Sequence, residues 1–397
     1  MKKTLSLYLL TTLVALFVVA PAAHAVKGRP SAVTFTDASS VRKIYAFVKG
    51  DNGHLLSNYF DGTSWTWIDH DLPDGVGSIS NPKAVTYVDA SGNRRIYVFV
   101  VDNTGHLAIR FYKGPGYGWQ WSKQGGPFIS AQSLSATTYV DDSGVIHLYA
   151  FAFSTNSGGA VPFKLVKHYW NGSVWGWSDM ANYAGLPYNS VSFTETSTYT
   201  GNDGQRRLDV FCAAGDGQAL LRHSLVAQSW SVSSLGAAVD LTNASSVNYV
   251  DSAGYRKVDT FVRHLEYETI WDRSAGGWSE IGKPAGVSYS QQGLISATSY
   301  PSISGYPHIN VFVEWEKHLY LRAWTNNTWQ PWVDLGRPSG ASTSFTDGVK
   351  NTAAITYQNA ITNAQHSWVF MTGAQDDHLY VNFWNGTSWQ WYDRGNP

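Results

Sequence analysis

Beyond its first 25 positions the chain sets its apolar residues in short runs, alternating with polar ones or briefly continuous, and each run ends at Gly, Asn, Asp or Ser. Residues 84–121 show the pattern. Ala84 to Val88 alternates, Ser91-Gly92-Asn93 turns the chain, and Arg95 to Val100 is almost wholly apolar. Gly105 then leads into His106–Phe111, and Gly118 into Trp119-Gln120-Trp121. Period-two runs bounded by such turns predict four antiparallel strands in a meander. No stretch holds good helix formers in a continuous run.

The unit recurs seven times. An anchor Phe in the second strand falls at Phe47, Phe99, Phe151, Phe211, Phe261, Phe312 and Phe370. A first-strand aromatic precedes it at Phe35, Tyr87, Tyr139, Tyr199, Tyr249, Tyr300 and Tyr357. A fourth-strand Trp follows at Trp67, Trp121, Trp177, Trp230, Trp278, Trp332 and Trp391. Four strands per repeat at this period predict an all-β, seven-bladed β-propeller with four antiparallel strands per blade. A small sheet with two apolar faces cannot bury both alone, and radial packing hides each against the next blade. The expected repeats run approximately 30–82, 83–134, 135–194, 195–244, 245–294, 295–350 and 351–397, within one domain over 26–397. The third carries an insertion around Ser157–Ala160, expected to lengthen the hairpin before its third strand. The fourth, Ser229-Trp230-Ser231-Val232, is expected to lack the first of two paired tryptophans. The fifth is the shortest and reads Gly277-Trp278-Ser279-Glu280.

The opening residues change the setting. Lys2 and Lys3 precede an apolar run from Leu5 to Ala20, and Ala23-His24-Ala25 offers small residues for cleavage. This predicts a bacterial secretory leader over 1–25 and an extracellular or periplasmic mature chain. The run is shorter than a membrane span needs, and no other stretch is apolar enough to cross a bilayer. A lone Cys212 in an apolar strand provides no disulfide and reads as a buried, inert thiol. Lys plus Arg (28) nearly balances Asp plus Glu (29), which argues against a nucleic-acid partner and against adhesion to an anionic membrane.

The most specific local pattern is W-x-W-x-D at the end of a repeat. It occurs as Trp65-Thr66-Trp67-Ile68-Asp69, Trp175-Gly176-Trp177-Ser178-Asp179 and Trp389-Gln390-Trp391-Tyr392-Asp393, with Trp329-Gln330-Pro331-Trp332-Val333-Asp334 one residue longer. Alternation puts both indoles and the acid on one sheet face. An indole can stack on the C–H face of a sugar while a carboxylate accepts its hydroxyls. The same indoles also suit blade-to-blade core, and the Asp suits capping of the following turn. With 18 tryptophans in the chain, some aromatic surface is expected in grooves. The candidate carbohydrate-contacting set is Trp67, Asp69, Trp121, Trp177, Asp179, Trp278, Glu280, Trp332, Asp334, Trp391 and Asp393, with the first-strand Tyr87, Tyr139 and Tyr357.

Other motifs carry less. His54, His106, His318 and His378 open third strands one per blade, which suits bonding to a turn better than a shared metal site. The polar runs Ser78, Ser80 and Asn81, then Ser130, Gln132 and Ser133, then Ser290, Gln291 and Gln292 suit either neutral sugars or ordinary loops. Asp141-Asp142-Ser143-Gly144 sits where other repeats have a hairpin and reads as a turn. No catalytic residue, metal or cofactor is expected. A glycosidase needs one asymmetric acid pair, whereas these acids repeat with the blades. The chain also lacks G-x-S-x-G, a phosphate loop and H-E-x-x-H.

Taken together, Arg207-Leu208-Asp209-Val210-Phe211, Trp170-Asn171-Gly172 and the run from His378 through Asp393 resemble the bacterial seven-bladed propeller lectins typified by the Photorhabdus lectins. The resemblance spans about residues 30–397. It implies a secreted, multivalent lectin that takes fucose and related O-methylated sugars between neighbouring blades, with host or competitor glycans as partners and self-association compatible with that role. Repeats four and five depart from the motif, and Lys123 replaces the acid in repeat two. The rival readings are a propeller glycosidase or lyase and a scaffold that docks a protein on one face.

Overall fold

The computed structural model describes residues 25–114, 116–130, 133–154, 164–180, 193–214, 219–236, 244–264, 269–274, 276–287, 292–301, 306–339, 352–359, 364–373 and 376–397. The expected leader, Ala25 apart, and the insertion around Ser157–Ala160 lie outside the described residues. Seven antiparallel sheets follow one another along the chain, over residues 26–69, 83–125, 135–179, 194–236, 244–282, 292–334 and 353–393. In each, the strands lie side by side in chain order. The first strands touch one another in cyclic order, from blade to blade and from blade seven back to blade one. The molecule is therefore a seven-bladed propeller whose first strand is innermost and whose fourth lies at the rim.

Among the described residues no strand is exchanged to seal the ring, and each blade's strands come from one stretch of chain. Closure rests on side-by-side contacts. Val26 N donates to Asp377 O at 2.8 Å, Thr372 Oγ1 to Gly28 O at 3.0 Å, and Trp67 Nε1 to Arg394 O at 2.9 Å. Further in, hydroxyls stitch neighbouring innermost strands. Ser31, Ser245 and Ser296 each accept the amide of the next blade, from Ala84, Ala297 and Ala354, all at 2.9 Å.

Each second strand reads as a continuous apolar run because both its faces are buried. In blade two (Arg94–Val101), Ile96, Val98 and Val100 pack towards blade one, while Phe99 and Val101 pack towards blade three. The anchor Phe is the residue that faces forward. It meets, edge to face, the first tryptophan of the next blade's outer strand. The pairs are Phe47–Trp119 (5.8 Å, 72°), Phe99–Trp175 (6.3 Å, 74°), Phe151–Trp230 (5.9 Å, 70°), Phe261–Trp329 (5.8 Å, 86°), Phe312–Trp389 (5.6 Å, 76°) and Phe370–Trp65 (6.2 Å, 65°). Such a pair contributes about 0.5–1.5 kcal/mol beyond the area it buries.

This geometry corrects the reading of repeat four. Trp230 pairs across strands with Leu225 and abuts Phe151, so it is the equivalent of Trp65. Repeat four lacks the second tryptophan, replaced by Val232, and keeps the first. Repeat five shows the converse: Trp278 holds the second place and Gly276 the first. The seam between blades four and five is thus the one where the anchor, Phe211, meets no indole edge, and Trp271 fills the cluster instead. In blade six the extra residue at Pro331 splits the outer strand into Thr328–Trp329 and Val333–Asp334, and both pieces still pair with the third strand. Cys212 is buried.

Replacing the half-buried Trp119 by Ala should destabilise the protein by about 2–4 kcal/mol, somewhat less than truncation of a fully buried aromatic. Trp121→Phe, which loses the bond to His70 O and part of the ring's packing, should cost about 1–3 kcal/mol. In a double-mutant cycle Phe47→Ala and Trp119→Ala should couple by about 1 kcal/mol. Denaturant unfolding followed by tryptophan fluorescence measures all three.

Candidate functional site

Both indoles of each W-x-W project towards the preceding blade. The second has a specific partner there, the backbone carbonyl one residue past the outer-strand acid position. Trp67 Nε1 donates to Arg394 O, Trp121 to His70 O (2.9 Å), Trp177 to Gln124 O (3.4 Å), Trp278 to Leu235 O (2.8 Å) and Trp391 to Leu335 O (2.8 Å). Trp332 Nε1 is buried without such a bond. Gly126 shows how close the approach is, since a Cβ there would fall 2.2 Å from the Trp177 ring.

The acids are engaged as well. Asp69, Asp334 and Asp393 each hold the histidine that opens the third strand, with Nδ1 of His54, His318 and His378 at 2.8–3.1 Å. Each also accepts the amide two residues on, from Asp71 (2.8 Å), Gly336 (2.7 Å) and Gly395 (2.7 Å). Those residues stand in the left-handed region, which blades six and seven give to glycine and blade one to Asp71 (φ 57°). Asp179 pairs instead with Lys164 Nζ at 2.8 Å. Glu280 lies exposed on the rim, and Lys123 cannot accept a bond at its place. His54, Asp69 and Asp71 bring possible metal-ligating atoms within 4.8 Å of one another, at a largely solvated surface.

The three first-strand tyrosines look forward across their seams. Tyr87 stacks on Tyr97 at 6.0 Å. Tyr139 is buried and donates to Arg206 O of blade four at 3.2 Å. The ring of Tyr357 lies beneath the Arg42 guanidinium of blade one, 4.1 Å away. The polar entry runs bind backbone where they are described: Ser80 Oγ accepts Val101 N, Ser133 Oγ accepts Phe153 N, and Asn81 Oδ1 accepts Arg29 N. Gln132, Ser290 and Gln291 lie outside the described residues.

Open space lies elsewhere in the seams. A cleft of about 500 Å³ separates blades one and two. Its walls are Tyr45 and Tyr59, stacked at 4.3 Å, facing Tyr112 and Ile96, with Lys43, Asp37, Asn93 and Arg94 at the mouth. Arg94 lies 4.9 Å over Phe35, and its Nε is buried without a hydrogen-bond partner. A second cleft, of about 340 Å³, opens between blades two and three. Tyr97 and Phe111, 5.7 Å apart, face Trp170 and Trp175, with Lys113, Ser122 and Gln124 as polar lining. The platform is built from equivalent places, Tyr45 and Tyr59 in one blade, Tyr97 and Phe111 in the next. Flat apolar faces with donors at the edge fit a ring that has one C–H face and a rim of hydroxyls.

None of the second tryptophans lines these two clefts; Trp175, a first tryptophan, does. Sequence reasoning missed the aromatic two residues before the anchor Phe. Its signal was visible, since Tyr45, Tyr97, Tyr149 and Trp368 stand there in blades one, two, three and seven, against Asp209, Asp259 and Asn310 in blades four, five and six.

Comparison with known proteins supports this architecture. A lectin from Burkholderia pseudomallei superposes with a TM-score of 0.66 at 17% identity, covering 94% of this chain and 99% of that one. The lectin of Aleuria aurantia in complex with α-methyl-L-fucoside gives 0.54 at 17% identity, covering 93% and 96%. AofleA from Arthrobotrys oligospora gives 0.51 at 15% identity, covering 78% and 87%. At these identities the likeness is one of fold. No family description matches the sequence. No curated protein matches it either.

Buried histidines give the seams a pH dependence. His70 sits edge-on to Trp119 at 4.6 Å and bonds Ser57 Oγ at 2.9 Å; burial, with the Arg110 charge, pushes it down to about 3. His168 stacks on Trp175 at 4.7 Å and bonds Gln124 Oε1 at 3.1 Å; burial pushes it down to about 4, as it does His223. A base depressed by folding supplies stability that is whole above its unfolded pKa, near 6.5, and fades as the pH falls towards the folded value. Buried Glu314, raised to about 8, acts in the opposite sense, losing stability as the pH rises. A comparison with His168→Gln isolates one group. Between pH 6.5 and 4.5 the stability difference should shift towards the variant by about 2 kcal/mol in all, read from urea midpoints.

Proposed function

We propose that the protein is a secreted, multivalent lectin that binds neutral deoxy sugars of the fucose type, O-methylated forms included, in the aromatic clefts between blades. The observation that carries this reading is the repeated platform, Tyr45 with Tyr59 and Tyr97 with Phe111, each opposed by aromatics of the next blade and edged by Lys, Arg, Asn or Gln. A methyl-bearing sugar lays its apolar side on such a face, and its hydroxyls reach the polar edge. The proteins of similar fold include a lectin solved with α-methyl-L-fucoside, which is consistent with this reading. The repeated acids are tied to histidines and turn amides, which leaves them structural rather than catalytic. The reading is binding without turnover. Several shallow sites on one rigid disk gain strength together, because each later contact is intramolecular. The leader expected over 1–25 supports secretion.

Isothermal titration with methyl α-L-fucoside and its O-methylated derivatives tests this. Single sites should bind with Kd of about 10 μM to 1 mM, or roughly −7 to −4 kcal/mol. Arg94→Ala should lower the stoichiometry by about one site, and Phe111→Ala should do the same, each leaving the other cleft's affinity intact. Chromogenic fucosides should not be hydrolysed. No heat with any monosaccharide would remove the proposal.

A further inference from the structure

Blade five carries a pair of buried carboxylates that the repeat does not explain. Asp259 is 3% exposed and Asp272 is 5%. The register opposes Asp272 to Phe261, with Asp259 two residues before it, so all three side chains share the face turned to blade six. Asp259 Oδ2 accepts the Tyr249 hydroxyl at 2.9 Å. Oδ1 of both acids is buried without a hydrogen-bond partner.

The same two places in the other blades show how unusual this is. Blade four also has an acid at the first place, Asp209, but there the second is Arg222, and Ser224 and Tyr199 donate to the carboxylate at 2.6 and 2.9 Å. At these two places blade three has Tyr149 and Lys167, the latter opposite Phe151, and blade one has Tyr45 and Ser57, the latter opposite Phe47. Blade five alone sets two acids together. Cations near them are turned away or otherwise engaged. Lys257 lies 3.6 Å from Asp251, and Arg273 points to the opposite face, its guanidinium 5.9 Å from Trp278. Arg322 enters the seam from blade six but donates to Ile281 O. Lys257 and Arg273 offset the cost only in part; burial raises both acids, and for Asp272 the Asp259 charge adds to it.

Two like charges kept from water need a neutralising partner. We propose that Asp259 and Asp272 form a cation site in the seam between blades five and six, taking a hard divalent ion of the calcium class. The two carboxylates and the Tyr249 hydroxyl offer oxygen ligands, a set that suits calcium or magnesium over zinc. A cleft of about 230 Å³ opens beside Tyr249, whose hydroxyl bonds Asp259; Ser299, Tyr300 and Arg256 also line it, and the two acids lie behind Tyr249 rather than in its wall. The ion would tie the second strand of blade five to its third at a seam that has lost the aromatic platform.

The test uses the full protein, stripped with chelator and then titrated with CaCl₂ or MgCl₂ at pH 7.5. Thermal unfolding should shift upward by several degrees at saturating calcium, since a ligand bound only by the folded state stabilises it. Terbium should show luminescence sensitised through nearby aromatics, displaced by calcium. Asp272→Asn should abolish both responses and melt above chelated wild type, because the amide removes the repulsion. Asp259→Asn serves as the second variant should the first fail to fold. Calcium or terbium responses that persist in both variants would place the ion elsewhere and overturn the proposal. It also falls if wild type ignores every divalent ion and is stabilised merely by lowering the pH from 8 to 6, as an acid pair sharing a proton would be.

Discussion

The edge-to-face contact between an anchor Phe and the first tryptophan of the next blade is the constraint on which the rest of the structure depends. It recurs at six seams with ring separations of 5.6–6.3 Å, and it fixes the distance and tilt between sheets. Once those are set, the second indole can reach a carbonyl of the preceding blade, and the innermost strands come close enough for serine hydroxyls to bridge them. Ring closure needs nothing further. The seam between the last blade and the first uses the same contact as the others, so no strand has to be borrowed to seal it.

That commitment decides which residues remain free for a ligand. Tryptophan is abundant here because five of the seven seams take two outer-strand indoles, and in four of them one packs while the other packs and donates a hydrogen bond. Recognition is left to the neighbouring places, where a tyrosine or phenylalanine is backed by the core on one side and faces a gap on the other. Rigid aromatics held in this way lose little freedom on binding.

Strand order, blade number and the phase of the repeat were legible in the sequence, because period-two alternation and three aromatic markers record burial directly. The site was less so. Alternation placed both indoles and Asp69 on one face, but it could not say that this face turns to the preceding blade, or that His54 would claim the carboxylate. Trp230 was misplaced for a related reason. A single tryptophan in an outer strand has no internal phase, and only pairing with Leu225 assigns it. The platform residue was written in the sequence as the alternation of Tyr or Trp with Asp or Asn two places before the anchor. Its meaning depended on which seams stay open, and that is a property of the packed ring.

The same alternation makes the disk lopsided. Aromatic residues hold the platform place in blades seven, one, two and three, while acidic or amide residues hold it in four, five and six. Sevenfold in backbone, the molecule is closer to a crescent in chemistry. Turning it about its axis changes what it offers: clefts walled by aromatics on one side, and clefts lined by Thr, Asn and Arg on the other.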